Sequence, residues 1–378
     1  MKVMMKELGE IITGNTPSKK TEEFWNSEDI CFIKPDIIAD NGINEIVDSN
    51  EYISEDARKK ARVVGKNSIF ITCIGNIGKL GIASDGEYAF NQQINAIIPN
   101  DRVQPKYLAY NLLFNKARLV AMANAPVVPI INKSQFGEFT VNIETDIDRQ
   151  NETVDVLDKL TQIIQQRNKE ISALDELIKA RFVEMFTSIK KEQLLGDISE
   201  FVTVGIANSA THAYTDSGIP MLRNQNIKEN HLDDSDLIYI NPEFAAKYES
   251  KKLKENDIIV MRTGYPGVAC LVPSEYEGCQ TFTTLIVRLK EDNNPRYVCS
   301  YINSDLGKSF IESEKVGVAQ QNVGAKSLAK MPIRIAPKDL QDEYVAFVAQ
   351  VDKSKAAVQK ALDETQLLFD SLMQEYFG

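Results

Sequence analysis

The sequence predicts an α+β protein in which two similar globular domains alternate with two long helices that pair as an antiparallel coiled coil. Two observations predict this fold: the chain repeats itself at half its length, and each half ends in a long stretch of apolar residues at heptad spacing. A chain of 378 residues with 43% hydrophobic content is long enough for more than one core. The predicted segments are a globular domain at 1–147, a helix at 148–190, a second globular domain at 191–339 and a second helix at 340–378.

The internal repeat becomes visible when each residue is compared with the residue about 189 positions later. The matches drift by one or two positions, in order, along the chain. The matching pairs are Leu8-Gly9-Glu10-Ile11 with Leu195-Gly196-Asp197-Ile198, Ile33-Lys34 with Leu222-Arg223, Asn67 with Asn256, Gly75 with Gly264, Gly78 with Gly267, Pro105-Lys106-Tyr107-Leu108 with Pro295-Arg296-Tyr297-Val298, Asn132 with Asn322, and Arg149-Gln150-Asn151-Glu152 with Leu340-Gln341-Asp342-Glu343. The chain is therefore predicted to be a tandem duplication.

Each half is predicted to place a glycine-containing turn between two short strands. The strands are expected at 68–72 and 94–98 in the first half and at 257–261 and 283–287 in the second, where β-forming residues are enriched. Either the glycines supply positive φ in the turns or they let the backbone approach a phosphate. Neither turn has the G-x-G-x-x-G form followed by a helix, which favours the first interpretation. The turn residues are Gly75, Gly78 and Gly81, then Gly264, Pro266 and Gly267.

A heptad seam runs through both long stretches, and neither contains Pro or Gly within it. The first stretch leads into the second globular domain near Leu195, and the second leaves that domain near Asp339, so the helices run antiparallel if they pair. We then expect the globular domains at opposite ends of a rod with pseudo-twofold symmetry. The seam positions are Leu157, Leu160, Ile164, Arg167, Ile171, Leu174, Ile178, Arg181 and Met185, then Val348, Val351, Lys355, Val358, Leu362, Thr365, Phe369, Leu372 and Tyr376.

Both helices carry more apolar surface than one seam buries. Either the globular domains cover the excess or partner subunits dock on it. The candidate partner-binding residues are Val156, Ile163, Leu177, Phe182 and Phe186 on the first helix, and Phe347, Leu367, Leu368 and Phe377 on the second.

Composition narrows the class of protein. The net charge of −11 argues against an extended nucleic-acid surface, so any DNA-binding face must be local. No apolar run is long enough for a membrane span and the first residues lack a signal-peptide core, so a cytoplasmic location is expected. The five cysteines form no C-x-x-C pair, and we expect reduced thiols rather than disulfides or zinc ligands.

We find no catalytic or metal-binding constellation. His212 and His231 have no spaced metal partner. Asn294-Pro295-Arg296-Tyr297 departs from the N-P-P-[FY] segment of an amino-methyltransferase at its arginine. Its first-half counterpart begins Gln104-Pro105, so both segments are predicted to be ordinary helix starts.

The order of globular domain, long helix, globular domain and long helix resembles the specificity (S) subunit of type I restriction-modification systems. In that family each target-recognition domain opens near an L-G-[ED]-[IV] segment, as at Leu8 and Leu195, and carries a strand, a glycine turn and a second strand. The family's helices are typically introduced by a Pro-rich stretch ending in Glu-Gln, of which this sequence keeps only Gln150 and Gln341, with Pro337 nearby. The resemblance covers essentially the whole chain.

The resemblance implies a non-catalytic subunit that reads a bipartite target in double-stranded DNA, one half with each globular domain, while the helix pair sets the spacer. It implies two modification subunits on the helices that resemble adenine methyltransferases and carry S-adenosylmethionine. Where restriction subunits join, ATP and Mg act on them, and this chain itself carries no cofactor. A coiled-coil adaptor with duplicated protein-interaction domains would use the same rod, but with apolar or acidic domain tips in place of basic ones.

Side chains that read bases or hold phosphates cluster around the duplicated turns. Arg and Lys contact guanine or phosphate, and Asn and Gln contact adenine. Lys34 and Arg223 occupy equivalent positions, where a surface salt bridge is the alternative. The amide runs at 91–93 and 320–322 either read bases or cap turns. The candidates are Lys34, Asn76, Lys79, Asn91, Gln92, Gln93, Arg223, Arg262, Tyr265, Gln320, Gln321, Asn322 and Lys326.

Overall fold

Each of the two long helices contributes to two different units of the fold in the computed structural model, which describes residues 1–123, 129–207, 210–315 and 321–378. Unit 1 comprises Met1–Lys169 and Gln359–Gly378, and unit 2 comprises Glu170–Val358. The chain therefore passes from one unit to the other within each long helix.

Unit 1 contains two mixed sheets and a short antiparallel pair. Its strands are β1 Lys2–Met4, β2 Gly9–Thr13, β3 Ile30–Ile33, β4 Ile43–Ile46, β5 Tyr52–Ile53, β6 Val63–Val64, β7 Ile69–Thr72, β8 Leu80–Ala83, β9 Tyr88–Phe90, β10 Ile94–Pro99 and β11 Thr140–Asn142. Its helices are α1 Pro105–Phe114, α2 Lys116–Met122, α3 Lys133–Glu138 and the first part of α4 Ile147–Phe186. The strand orders are β2-β10-β7-β8-β4, β5-β3-β9-β6 and β1-β11.

Unit 2 repeats this plan. Its strands are β12 Glu192–Leu194, β13 Ser199–Val204, β14 Tyr214–Thr215, β15 Ile219–Leu222, β16 Ile227–Lys228, β17 His231–Leu232, β18 Ile238–Ile240, β19 Ile258–Val260, β20 Ala269–Leu271, β21 Gln280–Thr281, β22 Leu285–Leu289 and β23 Pro332–Arg334. Its helices are α5 Pro242–Ala246, α6 Pro295–Asn303, α7 Asp305–Glu314, α8 Ala325–Leu328 and the first part of α9 Lys338–Phe377. The strand orders are β13-β22-β19-β20, β14-β18-β15-β21, β12-β23 and β16-β17.

The sheets confirm the predicted duplication. The antiparallel order β2-β10-β7-β8 corresponds to β13-β22-β19-β20, and the parallel pair of β3 with β9 corresponds to that of β15 with β21. One predicted match is wrong. Asn132 caps α3, whereas its structural counterpart Gly324 precedes α8; Asn322 instead bridges Thr263, as Ile130 bridges Ile74. The offset between the two halves is therefore 192 residues in this region, two more than the pairing of Asn132 with Asn322 implied.

The glycine turns, residues 73–79 and 261–268, carry corresponding glycines with positive φ. Gly75 and Gly78 have φ of 77° and 82°, and Gly264 and Gly267 have φ of 83° and 99°, a region that glycine enters without strain. The first turn is closed by Gly78, whose N–H donates to the Thr72 carbonyl at 3.0 Å. These glycines thus serve the turn conformation, while Gly81 lies within β8 and not in the turn.

Within each unit the two long helices are antiparallel. In unit 1, Tyr110 of α1 bonds Asp158 of α4 and packs its ring on Phe369 of α9, while Phe377 lies nearer the start of α4, against Tyr107. In unit 2, Lys355 of α9 pairs with Asp175 of α4, and Arg181, six residues further along α4, pairs with Glu343, which lies twelve residues earlier in α9. The predicted fold class is confirmed.

The end of each long helix completes a core that the other half of the sequence builds. Phe377 of α9 lies edge-on to Tyr107 with a ring-centroid distance of 5.0 Å in unit 1. Its counterpart in unit 2, Phe186 of α4, lies 4.6 Å from Tyr297 and also contacts Tyr344. Both phenylalanines are 2% exposed, so each helix end is a core element and not a free tail.

A buried glutamine fixes the start of each long helix. Gln150 of α4 accepts the N–H of Gln104, the residue before α1, at 2.7 Å, and its amide donates to the carbonyls of Arg102 and Glu144. Gln341 of α9 accepts the N–H of Asn294, the residue before α6, at 2.9 Å. Gln150 therefore links the start of α4 to the start of α1 in unit 1, and Gln341 links the start of α9 to the start of α6 in unit 2.

We expect Gln150→Ala to lower the free energy of unfolding by about 2 kcal/mol, because it removes a buried side chain and leaves one half-buried N–H and two carbonyls without that partner. Urea unfolding of the full chain measures the change. Gln165→Ala, at an exposed position of the same helix, is the matched control and should stay within about 0.5 kcal/mol of the parent. Equal effects of the two variants would contradict the role of Gln150.

Candidate nucleic-acid interface

In unit 2 a single asparagine joins the glycine turn 261–268 to the turn that follows β15. The Asn224 side chain accepts the N–H of Arg262 at 3.0 Å and donates to the hydroxyl of Thr263 at 3.0 Å. Arg223 and Gln225 flank Asn224, so their side chains emerge beside the glycine turn. We call residues 223–226 together with 261–268 the unit 2 tip.

The carboxylate of Asp236, which lies outside the unit 2 tip, accepts hydrogen bonds from two side chains of the tip. Nη2 of Arg223 donates to Oδ2 of Asp236 at 3.0 Å and to the Asp236 carbonyl at 2.8 Å. The amide of Gln225 donates to the same Oδ2. Asp236 remains 69% exposed, so this contact sits at the surface where a ligand can compete for the arginine.

The other predicted unit 2 residues differ in how accessible they are. Tyr265 at the apex of the glycine turn is 78% exposed, and Gln321 and Lys326 are also exposed. Arg262 is half-buried, and its Nε has no partner among the described residues. Asn322 lies in a backbone bridge to Thr263. Gln320 lies outside the described residues.

In unit 1 the corresponding turns are joined by Lys79. Its ammonium donates to the Pro35 carbonyl at 2.8 Å and lies 3.0 Å from Oδ1 of Asp40. Asn76 also points to Asp40, with 3.4 Å between Nδ2 and Oδ1, and Lys116 donates to the Asp40 carbonyl. Lys79 is 8% exposed, so the prediction that it contacts DNA is corrected: burial under this turn makes it a structural link.

Lys34, the counterpart of Arg223, is also held by a carboxylate. Its ammonium pairs with Glu51, and this hydrogen bond holds the pKa of Glu51 below its usual range. The salt bridge that the sequence left open as an alternative is therefore present at both equivalent positions in the unbound chain.

The amide run at 91–93 caps a turn. Asn91 is buried, accepts the N–H of Gln93 at 3.0 Å and donates to the Gln93 side chain at 3.0 Å. Gln92 is exposed and accepts a hydrogen bond from Thr16 at 2.8 Å. Within this run only Gln92 has a side chain directed to the surface, so turn capping is what the structure shows for Asn91 and Gln93.

The predicted partner surface on the helices divides into two groups. Phe182, Phe186 and Phe377 are buried in the cores of their own units, so their place in a docking surface is corrected: the globular folds already cover them. Phe347 packs under the Arg181 guanidinium and against the unit 2 core. The residues that stay exposed are Val156, Ile163, Leu177, Leu367 and Leu368.

Sequence reasoning missed the residues that organise these tips. Asn224, Gln225 and Asp236 in unit 2, and Asp40 in unit 1, were not among the candidates. The sequence does indicate part of this site, because a polar run directly follows an apolar strand at Arg223-Asn224-Gln225-Asn226. The carboxylates give no such signal, because Asp236 lies thirteen positions after Arg223 and contacts it only through the fold.

The buried cysteines lack the lowered pKa of an activated nucleophile. Burial raises the pKa of the Cys73 and Cys279 thiols to about 11 and of Cys299 to about 12. His212 packs edge-on to Phe244. Among the residues that the structure describes, no three His, Cys, Asp or Glu side chains converge as metal ligands.

Within the described ranges, none of the helices combines the length and the apolar character that crossing a membrane requires.

A family model described as type I restriction modification DNA specificity domain matches residues 1–173 and, a second time, residues 190–365. The HindI type I restriction enzyme specificity subunit of Haemophilus influenzae is 35% identical over 109 residues, 29% of this chain and 23% of the relative. The MjaIX specificity subunit of Methanocaldococcus jannaschii is 26% identical over 288 residues, 69% of this chain and 65% of the relative. The matched part therefore spans less than two thirds of each of these relatives.

Two solved structures share the fold over the whole chain. The S subunit of a type I restriction-modification system from M. genitalium is 14% identical with a TM-score of 0.57, over 100% of this chain and 96% of that one. A chain from a type I restriction-modification system, solved for its complex assembly and conformational transition, is 13% identical with a TM-score of 0.62, over 100% of this chain and 97% of that one.

We expect a thiol reagent at neutral pH to modify Cys31 first, because this half-buried thiol is the most accessible of the five. Its raised pKa, caused by burial and by Asp48, keeps it mostly protonated at pH 7, so its rate should increase as the pH rises towards 9. Mass spectrometry of the native and the urea-unfolded chain measures the modification. Fast modification of a buried thiol such as Cys299 in the native chain would contradict the burial described here.

Proposed function

The chain belongs to the family of the type I restriction modification DNA specificity domain, and we propose that it reads a bipartite target in double-stranded DNA, one half with each unit, without performing chemistry itself. The observation that carries the proposal is the double match of the family model, one match for each half of a duplicated fold. A protein of two similar reading units suits a target of two half-sites.

The unit tips carry side chains of the kind that contact DNA. Arg223, Gln225 and Tyr265 belong to two joined turns in unit 2. In unit 1, Lys34 holds the position equivalent to Arg223, and the exposed Gln92 follows β9, which pairs with the strand before Lys34. Arginine and glutamine recognise base edges, and further polar groups hold phosphates. The protein-adaptor alternative calls for an apolar or acidic tip and is not favoured.

Under this proposal the exposed apolar residues of the helices dock modification subunits. Leu367 and Leu368 of α9 are 68% and 50% exposed, and Leu177 of α4 is 46% exposed. Exposed apolar side chains of this size are typical of a surface that binds a partner protein. S-adenosylmethionine would be bound by those methylating subunits, and ATP and Mg by a nuclease subunit where one joins. Because this chain has a net charge of −11, basic surfaces of the partners would add to its DNA affinity.

Replacing residues 1–147 by the first domain of another specificity subunit should change one half of the methylated target and leave the other half unchanged. The reason is that residues 1–147 carry the sheets and exposed turns of unit 1, while the exposed turns of unit 2 lie on its own sheets. Co-expression with the cognate methylating subunit, followed by sequencing of methylated adenines, gives the target. A change in both halves would contradict independent reading, and a complex that forms but methylates without sequence preference would contradict the proposed function.

Insertion of one heptad into both α4 and α9, where each helix passes from one unit to the other, should lengthen the spacer of the target by about three base pairs. Seven residues add roughly 10 Å of helix, and seven-residue steps preserve the facing seams. The same methylation mapping measures the spacer, and insertion in α4 alone is the control that should disrupt the complex. An unchanged spacer with intact half-sites would show that the helices do not act as a ruler.

A further inference from the structure

We propose that Asp236 and Glu51 act as placeholder carboxylates, which hold the equivalent DNA-reading cations Arg223 and Lys34 in the unbound chain and compete with DNA for them. The inference rests on the proposed function and adds a control of its DNA affinity. It concerns positioning residues that contact the reading side chains and not the DNA itself.

The first support is that the arrangement occurs twice with different carboxylates. The cations Lys34 and Arg223 occupy equivalent positions at the end of β3 and of β15. Glu51 and Asp236 both precede the strand that pairs antiparallel with the cation's strand, β5 in unit 1 and β18 in unit 2. They differ in position, because Glu51 directly precedes β5 whereas Asp236 lies two residues before β18. The two halves therefore reach the same cation position with acids from different positions of the corresponding segment.

The second support is the geometry of the Arg223 pair. Arg223 uses one nitrogen, Nη2, for both contacts with Asp236, and its Nε has no partner among the described residues. A structural pair in the same unit looks different. Arg288 holds Asp257 with two parallel bonds, Nε to Oδ1 at 2.8 Å and Nη2 to Oδ2 at 2.7 Å.

Exposure separates the two pairs in the same way. Asp257 is 1% exposed and Arg288 lies over the ring of Phe201, whereas Asp236 is 69% exposed. A one-nitrogen contact to an exposed carboxylate is weak in water and exchangeable, while the two-bond, buried pair is held by geometry and desolvation. Arg223 is thus positioned to leave Asp236 for a stronger acceptor.

DNA offers such acceptors in two forms with different consequences. A backbone phosphate, whatever the DNA sequence, can bind Arg223 only by displacing Asp236. The charge of Asp236 also repels the DNA backbone. The correct base adds a paired acceptor, such as N7 and O6 of guanine, which contacts two nitrogens of the guanidinium. The carboxylate therefore weakens binding to all DNA that takes up the arginine, because each such complex has to break the same Arg223–Asp236 contact.

The test compares Asp236→Asn with Asp234→Asn in the full chain with its methylating partner. Asp234 lies two residues away, contacts the Tyr276 hydroxyl at 2.7 Å, and pairs with no cation among the described residues, so the control removes the same charge without releasing an arginine. Binding is measured by fluorescence anisotropy, over a range of salt concentrations, on a duplex with the mapped target and on one without it.

We expect Asp236→Asn to raise affinity for non-specific duplex by about three- to fivefold over Asp234→Asn and to steepen its salt dependence by about one in the logarithmic slope, because one more cation reaches phosphate. Affinity for the target duplex should rise by at least as much, because the same contact no longer has to be broken before the arginine binds. The double variant Arg223→Gln with Asp236→Asn should lose the gain. Glu51→Gln should act in the same direction, by releasing Lys34.

Two results overturn the inference and can be told apart. If the parent complex binds both duplexes equally, the proposed function fails and the placeholder role fails with it. If the parent is selective but Asp236→Asn matches Asp234→Asn in affinity and salt slope, the placeholder role alone fails. A gain that persists in the double variant likewise overturns it, because the effect would then be simple loss of repulsion.

Discussion

The aromatic contact at the end of each long helix is the constraint on which both units depend. Phe186 packs against Tyr297 and Tyr344 in unit 2, and Phe377 packs against Tyr107 in unit 1. Each phenylalanine belongs to a helix that starts in the other unit, so neither unit has a complete core without a segment from far along the chain. A buried phenylalanine typically contributes several kcal/mol, which is a large part of the stability of one domain.

This constraint links packing to function. A helix whose start is fixed by Gln150 or Gln341 and whose end is fixed by a buried phenylalanine has no freedom to slide along either core. Under the proposed function, reading of two half-sites needs such fixed elements, because recognition of the second half would depend on a defined register from the first. The tips, by contrast, are built from exposed turns, where reading residues can differ between the units without disturbing the cores.

Much of the fold was predictable because the duplication repeats features with a strict physical meaning. Gly75, Gly78 and their counterparts adopt positive φ, and Pro105 and Pro295 both begin helices, as predicted. The heptad spacing correctly gave two antiparallel helices. It failed to tell which apolar residues a domain covers, because Phe182 and Leu177 are both apolar residues outside the seam, and only the folded domain buries the first.

The site was less predictable, because its arrangement comes from contacts between distant turns. Lys79 resembled a free cation in the sequence, yet its ammonium is bound by Pro35 and Asp40. The pairing of Arg223 with Asp236 likewise requires the loop after β17 to fold back on the tip. Residue type predicted which turns carry the candidate residues in both units. The accessibility of those residues and their ion pairs became visible only in the folded chain.

Hydrogen–deuterium exchange on Phe377→Ala and Phe186→Ala tests most directly the claim that each helix end completes one particular core. Phe377→Ala should speed amide exchange in α1 and β11 of unit 1 and leave α6 and β23 of unit 2 at parent rates, and Phe186→Ala should do the reverse. Faster exchange in both units from either substitution, or in the opposite unit, would contradict the account.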